Sequence, residues 1–208
     1  MKTTSKLALA AIAGLATVAS AQTAITSYSG GTYFDVFYGA STGDAIGYRF
    51  TVNDNIVMNN VGMWNGTQSP ADGVVSTSHA WGLWDSNGDL VTSGIIDPNN
   101  GFQQGDFFYS NVDSATALAP NVRYTLAVVY AAGDMDGYLS SVSSITSDPM
   151  IDISVGVFPA SGDLGLTFPA NDSAGNPGRL GPNFTFTPAP GSLALLGLGG
   201  LAVTRRRR

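Results

Sequence analysis

Residues 122–130 read VRYTLAVVY and have the clearest strand pattern in the chain. Large apolar side chains occupy every second position, with smaller or polar side chains between them. The apolar set is Val122, Tyr124, Leu126, Val128 and Tyr130. Because successive side chains of a strand point to opposite faces, this period of two predicts a strand with one buried face.

Seven further stretches predict strands on either side of it. They are residues 45–52, 56–64, 79–84, 90–96, 107–112, 151–158 and 184–186. In 56–64 the alternation predicts that Val57, Val61 and Met63 share one face with Asn59. The turn sequence DSNGD at residues 85–89 predicts a hairpin between 79–84 and 90–96.

The fold class follows from these strands and from the composition. The chain has no Glu, its 26 glycines suit tight turns, and no helical stripe occurs between residues 22 and 186. About eight to ten short strands favour a single all-β domain, a β-sandwich with a jelly-roll-like or immunoglobulin-like layout. We expect this domain to span residues 22–186.

The N-terminus has the three parts of a secretory signal peptide. Lys2 and Lys6 provide a positive start, residues 7–18 are apolar, and residues 19–21 (ASA) form a small-residue cleavage site. The pattern predicts a signal peptide at residues 1–21, cleaved between Ala21 and Gln22, and hence delivery through the secretion machinery.

The C-terminus, residues 187–208, combines a Pro-bounded motif, an apolar run and an Arg tail. The motif is Pro188, Ala189 and Pro190, and the tail is Arg205, Arg206, Arg207 and Arg208. The apolar run of eleven residues from Leu193 to Val203 would be roughly 17 Å long as a helix, against a hydrocarbon core of about 30 Å. Four arginines would act as a membrane stop that keeps the end of the chain on the cytoplasmic side.

This order of parts resembles the Pro-Glu-Pro C-terminal sorting signal, PEP-CTERM, of bacterial envelope proteins, although Ala189 stands where the family name has Glu. The resemblance implies transient membrane anchoring through a short C-terminal helix and cleavage of the tail by an exosortase-like enzyme after export. An ordinary hydrophobic C-terminal anchor is the alternative.

A second resemblance covers residues 45–130. The stretches GYRFTVNDNIVMNNVGMW, HAWGLWDSNGDLVTSG and NVRYTLAVVY resemble uncharacterised β-sandwich domains of exported bacterial proteins. Most of the shared residues belong to cores and turns. The resemblance therefore implies a fold and no catalytic residue.

Charge excludes nucleic acid as a partner. Residues 22–186 contain three arginines and fifteen aspartates, which gives this segment a net charge of −12. Such a field repels phosphate backbones.

The sequence contains few candidate catalytic residues, and we expect that the protein is not an enzyme. The chain has no cysteine and one histidine, His79, near Ser76, Ser78 and Asp85 in sequence. We expect His79 to be structural or solvent-facing.

Two loops offer oxygen ligands for Ca²⁺. They contain Asp85, Asn87 and Asp89, and Asp134 and Asp136. No Glu closes either loop as the bidentate ligand of an EF-hand would. The first loop is equally explained as a hairpin turn.

The tryptophans suggest a sugar-binding platform. Trp64, Trp81 and Trp84, with several tyrosines, could stack on sugar rings. Trp81 and Trp84 are three positions apart and would face opposite sides of a strand, so at least one is expected in the core.

The sequence as a whole predicts an exported, non-enzymatic protein of the cell surface or extracellular matrix. The alternative is a lectin-like module that binds extracellular polysaccharide and is stabilised by calcium.

Overall fold

The computed structural model describes residues 20–34, 43–66, 74–131, 136–161, 163, 165–173 and 179–189. These residues form an all-β structure, as the sequence predicts. They contain thirteen strands: β1 (Gln22–Thr23), β2 (Ile25–Phe34), β3 (Asp44–Val52), β4 (Ile56–Trp64), β5 (His79–Trp84), β6 (Leu90–Ile96), β7 (Phe102–Gln104), β8 (Phe107–Leu118), β9 (Arg123–Tyr130), β10 (Tyr138–Ser147), β11 (Ile151–Phe158), β12 (Asn171–Ser173) and β13 (Pro182–Pro188).

The strands form two large sheets and one two-stranded ribbon. The five-stranded sheet has the order β1-β13-β4-β8-β7, and the six-stranded sheet has the order β12-β11-β3-β9-β5-β6. The ribbon consists of β10 and β2. Each of these pairings is antiparallel.

One apolar core is shared by the sheets and the ribbon. The predicted inward face of β9 is confirmed, because Tyr124, Leu126, Val128 and Tyr130 are all buried in this core. Phe50 of the six-stranded sheet lies 5.1 Å from Phe184 of the five-stranded sheet, measured between ring centroids. Such close aromatic contacts fix the distance between the sheets.

The other face of β9 is covered as well. Ala127 on that face is fully buried and packs with Ala45 and Trp84 beneath Phe168. Gly82 of β5 leaves the space for this arrangement, since an added Cβ would lie 2.5 Å from the Trp84 ring. The central strands therefore carry apolar side chains on both faces.

The face assigned to β4 from sequence is wrong in its first half. Ile56 and Met58 are fully buried there, whereas Val57 is half-buried. In the pairing with β13, Thr185 lies opposite Asn60 and Phe186 lies opposite Met58, so β4 contains one extra residue at this point. Such a bulge changes which side chains point to the same face, so Ile56 and Met58 face the core before it and Val61 and Met63 face it afterwards.

All eight predicted strands are present, but the structure contains more strands than the sequence predicts. Strands at residues 56–64, 79–84, 90–96 and 151–158 have the predicted bounds, and β3, β8, β9 and β13 contain or nearly match their predictions. Five strands were missed: β1, β2, β7, β10 and β12. Of these, β2 and β10 are rich in Ser and Gly and lack the apolar alternation used for prediction.

The predicted targeting segments lie largely outside the described residues. This applies to residues 1–19 of the signal peptide and to residues 190–208 of the sorting signal. Within the described ranges, no helix has the length and apolar character needed to cross a membrane.

Candidate functional site where strands β1 and β13 meet

The first and last strands of the domain lie side by side at the edge of the five-stranded sheet. Gln22 pairs with Phe186 and Thr23 with Thr185. The Ala24 N–H donates to the Phe184 carbonyl at 2.9 Å and continues the ladder. Because the pairing is antiparallel, the chain before Gln22 and the chain after Phe186 leave the sheet at the same end.

The proline motif begins inside this sheet. Pro188 is the last residue of β13 and lies opposite Ile56 of β4. The Ala189 N–H donates to the Asn55 carbonyl at 2.9 Å. The first two residues of the motif are thus attached to the folded domain, and Pro190 and Arg205 to Arg208 lie outside the described residues.

A recess of about 270 Å³ lies beside Ala189. Its walls come from the turn between β3 and β4, at Asp54 and Asn55, and from the end of β8, at Leu118 and Ala119. The recess therefore adjoins the start of the proline motif.

A buried amide fixes the chain just after β1. Asn183 of β13 is fully buried. Its side-chain oxygen accepts from the Ile25 N–H at 2.9 Å, and its amide nitrogen donates to the Ile25 carbonyl at 3.1 Å. The side chain therefore imitates a strand partner for β2 where the main-chain pairing with β13 stops.

The three tryptophans do not form the predicted platform. Trp64, Trp81 and Trp84 expose 1%, 2% and 3% of their surface. Trp81 belongs to the main core and Trp84 to the small cluster on the opposite face of the sheet, as the spacing predicts. The platform expectation is wrong because the second face of this sheet is also covered, which leaves no indole face open to a sugar.

The loop containing Asp85, Asn87 and Asp89 is a hairpin turn, which confirms the predicted β5–β6 hairpin. The Asp85 side chain accepts from the Asn87 N–H at 2.8 Å and from the Asp89 N–H at 3.1 Å. Gly88 has a φ of 85°, the left-handed conformation that glycine adopts most readily. These local bonds account for the Asp, Asn and Gly residues of the turn.

Asp136, the second predicted calcium ligand, pairs with His79 in the interior. His79 Nε2 lies 3.0 Å from Asp136 Oδ2, and its Nδ1 lies 2.9 Å from the Val129 carbonyl oxygen. The same carboxylate oxygen accepts from the N–H groups of Ser76 and Thr77 at 2.8 and 3.2 Å. Both ring nitrogens of His79 therefore face oxygen atoms, which holds the imidazole between Val129 of β9 and Asp136.

This environment changes the acidity of Asp136. Burial raises the pKa of the carboxyl, but the hydrogen bonds from His79, Ser76 and Thr77 outweigh burial and hold the pKa below its usual value. The pair links β5 of the six-stranded sheet to the start of the ribbon. His79 is buried and structural in this arrangement, one of the two roles expected from sequence.

Asp134 lies outside the described residues. Among the residues that the structure does describe, no group of three or more His, Cys, Asp or Glu is arranged to hold a metal ion. Calcium binding by Asp134 and Asp136, or by the β5–β6 turn, stays a prediction.

Sequence reasoning missed a groove of about 600 Å³ between β2 and the turn that joins β7 to β8. Tyr28 lies in its wall, where its hydroxyl donates to Asp106 Oδ2 at 2.6 Å and accepts from Trp64 Nε1 at 3.0 Å. Burial and the bond to Asp106 raise the pKa of Tyr28 to about 12. Ser27, Ser29 and several main-chain groups line the same groove. No local pattern marks this site, because β2 has no apolar alternation.

Comparison with known proteins does not identify the chain. No protein-family model matches it, and no curated protein matches it either.

Proposed function

We propose that this protein is an exported, non-enzymatic component of the bacterial cell surface or extracellular matrix. In this proposal a β-sandwich, jelly-roll-like or immunoglobulin-like in layout, lies between a signal peptide at residues 1–21 and a PEP-CTERM-like sorting signal at residues 187–208. The proposal is supported by one observation, the pairing of β1 with β13, which places residues 22–23 beside residues 185–186.

Membrane topology explains why this pairing is favourable. A signal peptide keeps its positive start in the cytoplasm, and a C-terminal Arg tail stays on the same side. The chain therefore emerges from both segments at the outer face of the membrane. A domain whose ends are adjacent in register can occupy that face while both segments are still in the bilayer.

The position of Ala189 limits where an exosortase-like enzyme can cut without damage. A cut before Pro188 would remove residues that pair with β4. A cut after Ala189 leaves the whole of β13 and its hydrogen bond to Asn55 in the product. We therefore expect the mature C-terminus to lie at or after Ala189 and before Arg205.

The test is mass spectrometry of the protein recovered from its own host. We expect an N-terminus at Gln22 and loss of Arg205 to Arg208, and we expect the arginines to be retained in a strain lacking the exosortase-like enzyme. A mature protein that keeps all four arginines in the normal strain would contradict the sorting proposal and favour a plain C-terminal anchor.

We also propose a second function, binding of a neutral polysaccharide, because the groove beside β2 has suitable chemistry. Asp106 is held by Tyr28 at the groove wall, and serine hydroxyls and main-chain groups surround it. Sugar hydroxyls donate and accept hydrogen bonds and would match these groups. The net charge of −12 within residues 22–186 disfavours acidic polysaccharides.

Binding can be measured by calorimetry of the exported protein with neutral oligosaccharides, using acidic oligosaccharides for comparison. Asp106→Asn should weaken binding at least tenfold, since a hydrogen bond to a charged group contributes about 1.5–3 kcal/mol. Asp113→Asn is the matched control, because it makes the same charge change on an exposed part of β8. Equal binding by the two variants, or no binding to any neutral saccharide, would exclude this groove as the site.

A further inference from the structure

Strand β2 presents one main-chain edge to the groove beside Asp106. Strand β10 pairs with the other edge of β2, and the described residues provide no second strand partner. Every residue from Ile25 to Gly31 lines the groove, whereas none of the described residues of β10 does so. The groove therefore runs along the edge of β2 that faces away from β10, where main-chain N–H and C=O groups have no strand to pair with.

An amide already bonds to one end of this edge. The Asn183 side-chain oxygen accepts from the Ile25 N–H at 2.9 Å, and the side-chain nitrogen donates to the Ile25 carbonyl at 3.1 Å. Asn183 also lines the groove. A single planar amide, with one acceptor and one donor in use, thus satisfies both main-chain groups of one residue of β2. This contact identifies an uncharged amide as a chemical group that the edge accepts.

The residues that follow Ile25 are accessible from solvent. Ser27, Ser29 and Gly30 are exposed. Gly30 and Gly31 have no side chain that could cover their main-chain groups. Because a strand rises by about 3.3 Å per residue, the part of β2 that lines the groove extends at most roughly 20 Å. This length accommodates a short oligosaccharide.

Building on the polysaccharide function proposed above, we propose that the groove selects neutral polysaccharides that contain N-acetylated amino sugars. The acetamido group of such a sugar has one N–H and one C=O, the same donor and acceptor that the Asn183 amide uses. It bonds to main-chain groups of β2 as Asn183 bonds to Ile25. The group carries no charge, so the net charge of −12 in residues 22–186 does not oppose it.

The opposite wall of the groove favours a sugar over a peptide. It contains Gln104 and Asp106, at the turn between β7 and β8. Tyr28 donates to Asp106 Oδ2 at 2.6 Å, and the carboxylate has further acceptor capacity for the hydroxyl groups of a sugar ring. A peptide can also add to a strand edge through its own amides, but its main chain offers no hydroxyl group to this wall.

Calorimetry of the full exported protein with two tetrasaccharides tests the selectivity. Cellotetraose and tetra-N-acetylchitotetraose share one backbone and differ in having a hydroxyl or an acetamido group on each ring. The acetylated sugar should bind at least tenfold more tightly, because each bound acetamido group adds a donor and an acceptor. Equal or weaker binding of the acetylated sugar would overturn the selectivity and leave the polysaccharide function in place. Binding of neither sugar would overturn both.

Hydrogen exchange locates the acetamido contact. Saturating tetra-N-acetylchitotetraose should slow main-chain exchange between Thr26 and Gly31 by about fivefold or more. Asp106→Asn should weaken the binding of both tetrasaccharides but leave their affinity ratio unchanged, because Asp106 is on the other wall. Asp113→Asn, on an exposed part of β8, should change neither affinity. Protection confined to other strands, or loss of the ratio in Asp106→Asn, would overturn binding of the acetamido group by β2.

A neutral pentapeptide of serine and glycine, blocked at both ends, tests the competing ligand class. It offers amides to β2 without the hydroxyl pattern of a sugar ring, so it should bind at least tenfold more weakly than tetra-N-acetylchitotetraose. Tighter binding of the peptide would overturn the proposal and identify the edge of β2 as a site of strand addition.

Discussion

The strand pairs β3–β9 and β2–β10 are both long and antiparallel, but they are held in different ways. In β3–β9 both faces are buried, with aromatic and aliphatic side chains on the core face. In β2–β10 most residues are Ser, Thr or Gly, and many are exposed. The first pair illustrates stabilisation by apolar burial, and the second depends on a few specific anchors.

The anchors of the ribbon are largely polar. Asn183 binds both main-chain groups of Ile25, the His79–Asp136 pair fixes the chain before β10, and Tyr28 bonds to the five-stranded sheet. Buried Tyr138, Leu139 and Val142 add apolar contacts. If this contrast is correct, changes in the main sheets should unfold the whole molecule, and changes at the anchors should first release the ribbon.

The largest effect is expected for Phe50→Ala. Phe50 is fully buried and its ring contacts Tyr48, Tyr124 and Phe184 at centroid distances of 5.9, 5.8 and 5.1 Å. Removing it should lower the free energy of unfolding by about 3–5 kcal/mol, because lost burial and a cavity add together. Denaturant titration measures this loss. The control Phe102→Ala, at a ring that is 41% exposed, should cost about 1 kcal/mol or less.

The next effect is expected for Asp136→Asn. The variant keeps the shape of the side chain but replaces the carboxylate that contacts His79, Ser76 and Thr77 by a neutral amide, so we expect a loss of about 1.5–3 kcal/mol. Hydrogen exchange should increase first in β10 and in the segment before β5. Uniform exchange through β3 and β9 at the same rate would show that the ribbon and sheets form one cooperative unit.

The pH dependence of stability follows from the same carboxyl. Its pKa is lower in the folded protein than in the unfolded chain, so its contribution is complete above the unfolded pKa and is lost as pH falls through the folded pKa. Thermal melts from pH 6 to pH 2.5 should therefore show a smaller acid loss for Asp136→Asn than for the wild type. Parallel curves would mean that other carboxyls cause the acid sensitivity.

A smaller effect, about 1–3 kcal/mol, is expected for Asn183→Ala, because the buried N–H and C=O of Ile25 lose their partners. Denaturant titration and exchange at the start of β2 measure it. Asn99→Ala, at an exposed turn position, is the control and should change stability little. An equal loss of stability in both variants would show that Asn183 is not an anchor of the ribbon.

The smallest effect is expected for Tyr28→Phe. The ring stays in place, while Trp64 Nε1 and Asp106 lose their bonds to the hydroxyl. We expect a loss of about 0.5–1.5 kcal/mol, with faster exchange confined to β2. A loss as large as that of Phe50→Ala would contradict the distinction between ribbon and core.

The difference between these regions also explains which strands could be predicted. Strands such as β5 and β11 have apolar side chains that pack against the core, and their bounds were read correctly from residues 79–84 and 151–158. Strands β2 and β10 owe their conformation to distant partners, among them Asn183 and His79. Local sequence propensity does not encode such long-range contacts, so the sequence did not predict the ribbon.

The candidate sites also differ in whether the sequence could predict them. The β5–β6 turn was predictable because Asp85, Asn87 and Gly88 bond only to near neighbours. The groove of Tyr28 and Asp106 was not, since its two sides are 78 residues apart in sequence. The burial of Trp84 was likewise hidden, because it depends on the packing of Phe168 over the second face of the sheet.

The sequence by itself determined the all-β class, most core strands and the β5–β6 hairpin, because alternation and turn chemistry act between residues close in the chain. Only the tertiary structure decided the bulge in β4, the burial of all three tryptophans, the His79–Asp136 pair and the pairing of β1 with β13. Each of these depends on which distant strands become neighbours, and that choice is made by the packing of the whole core.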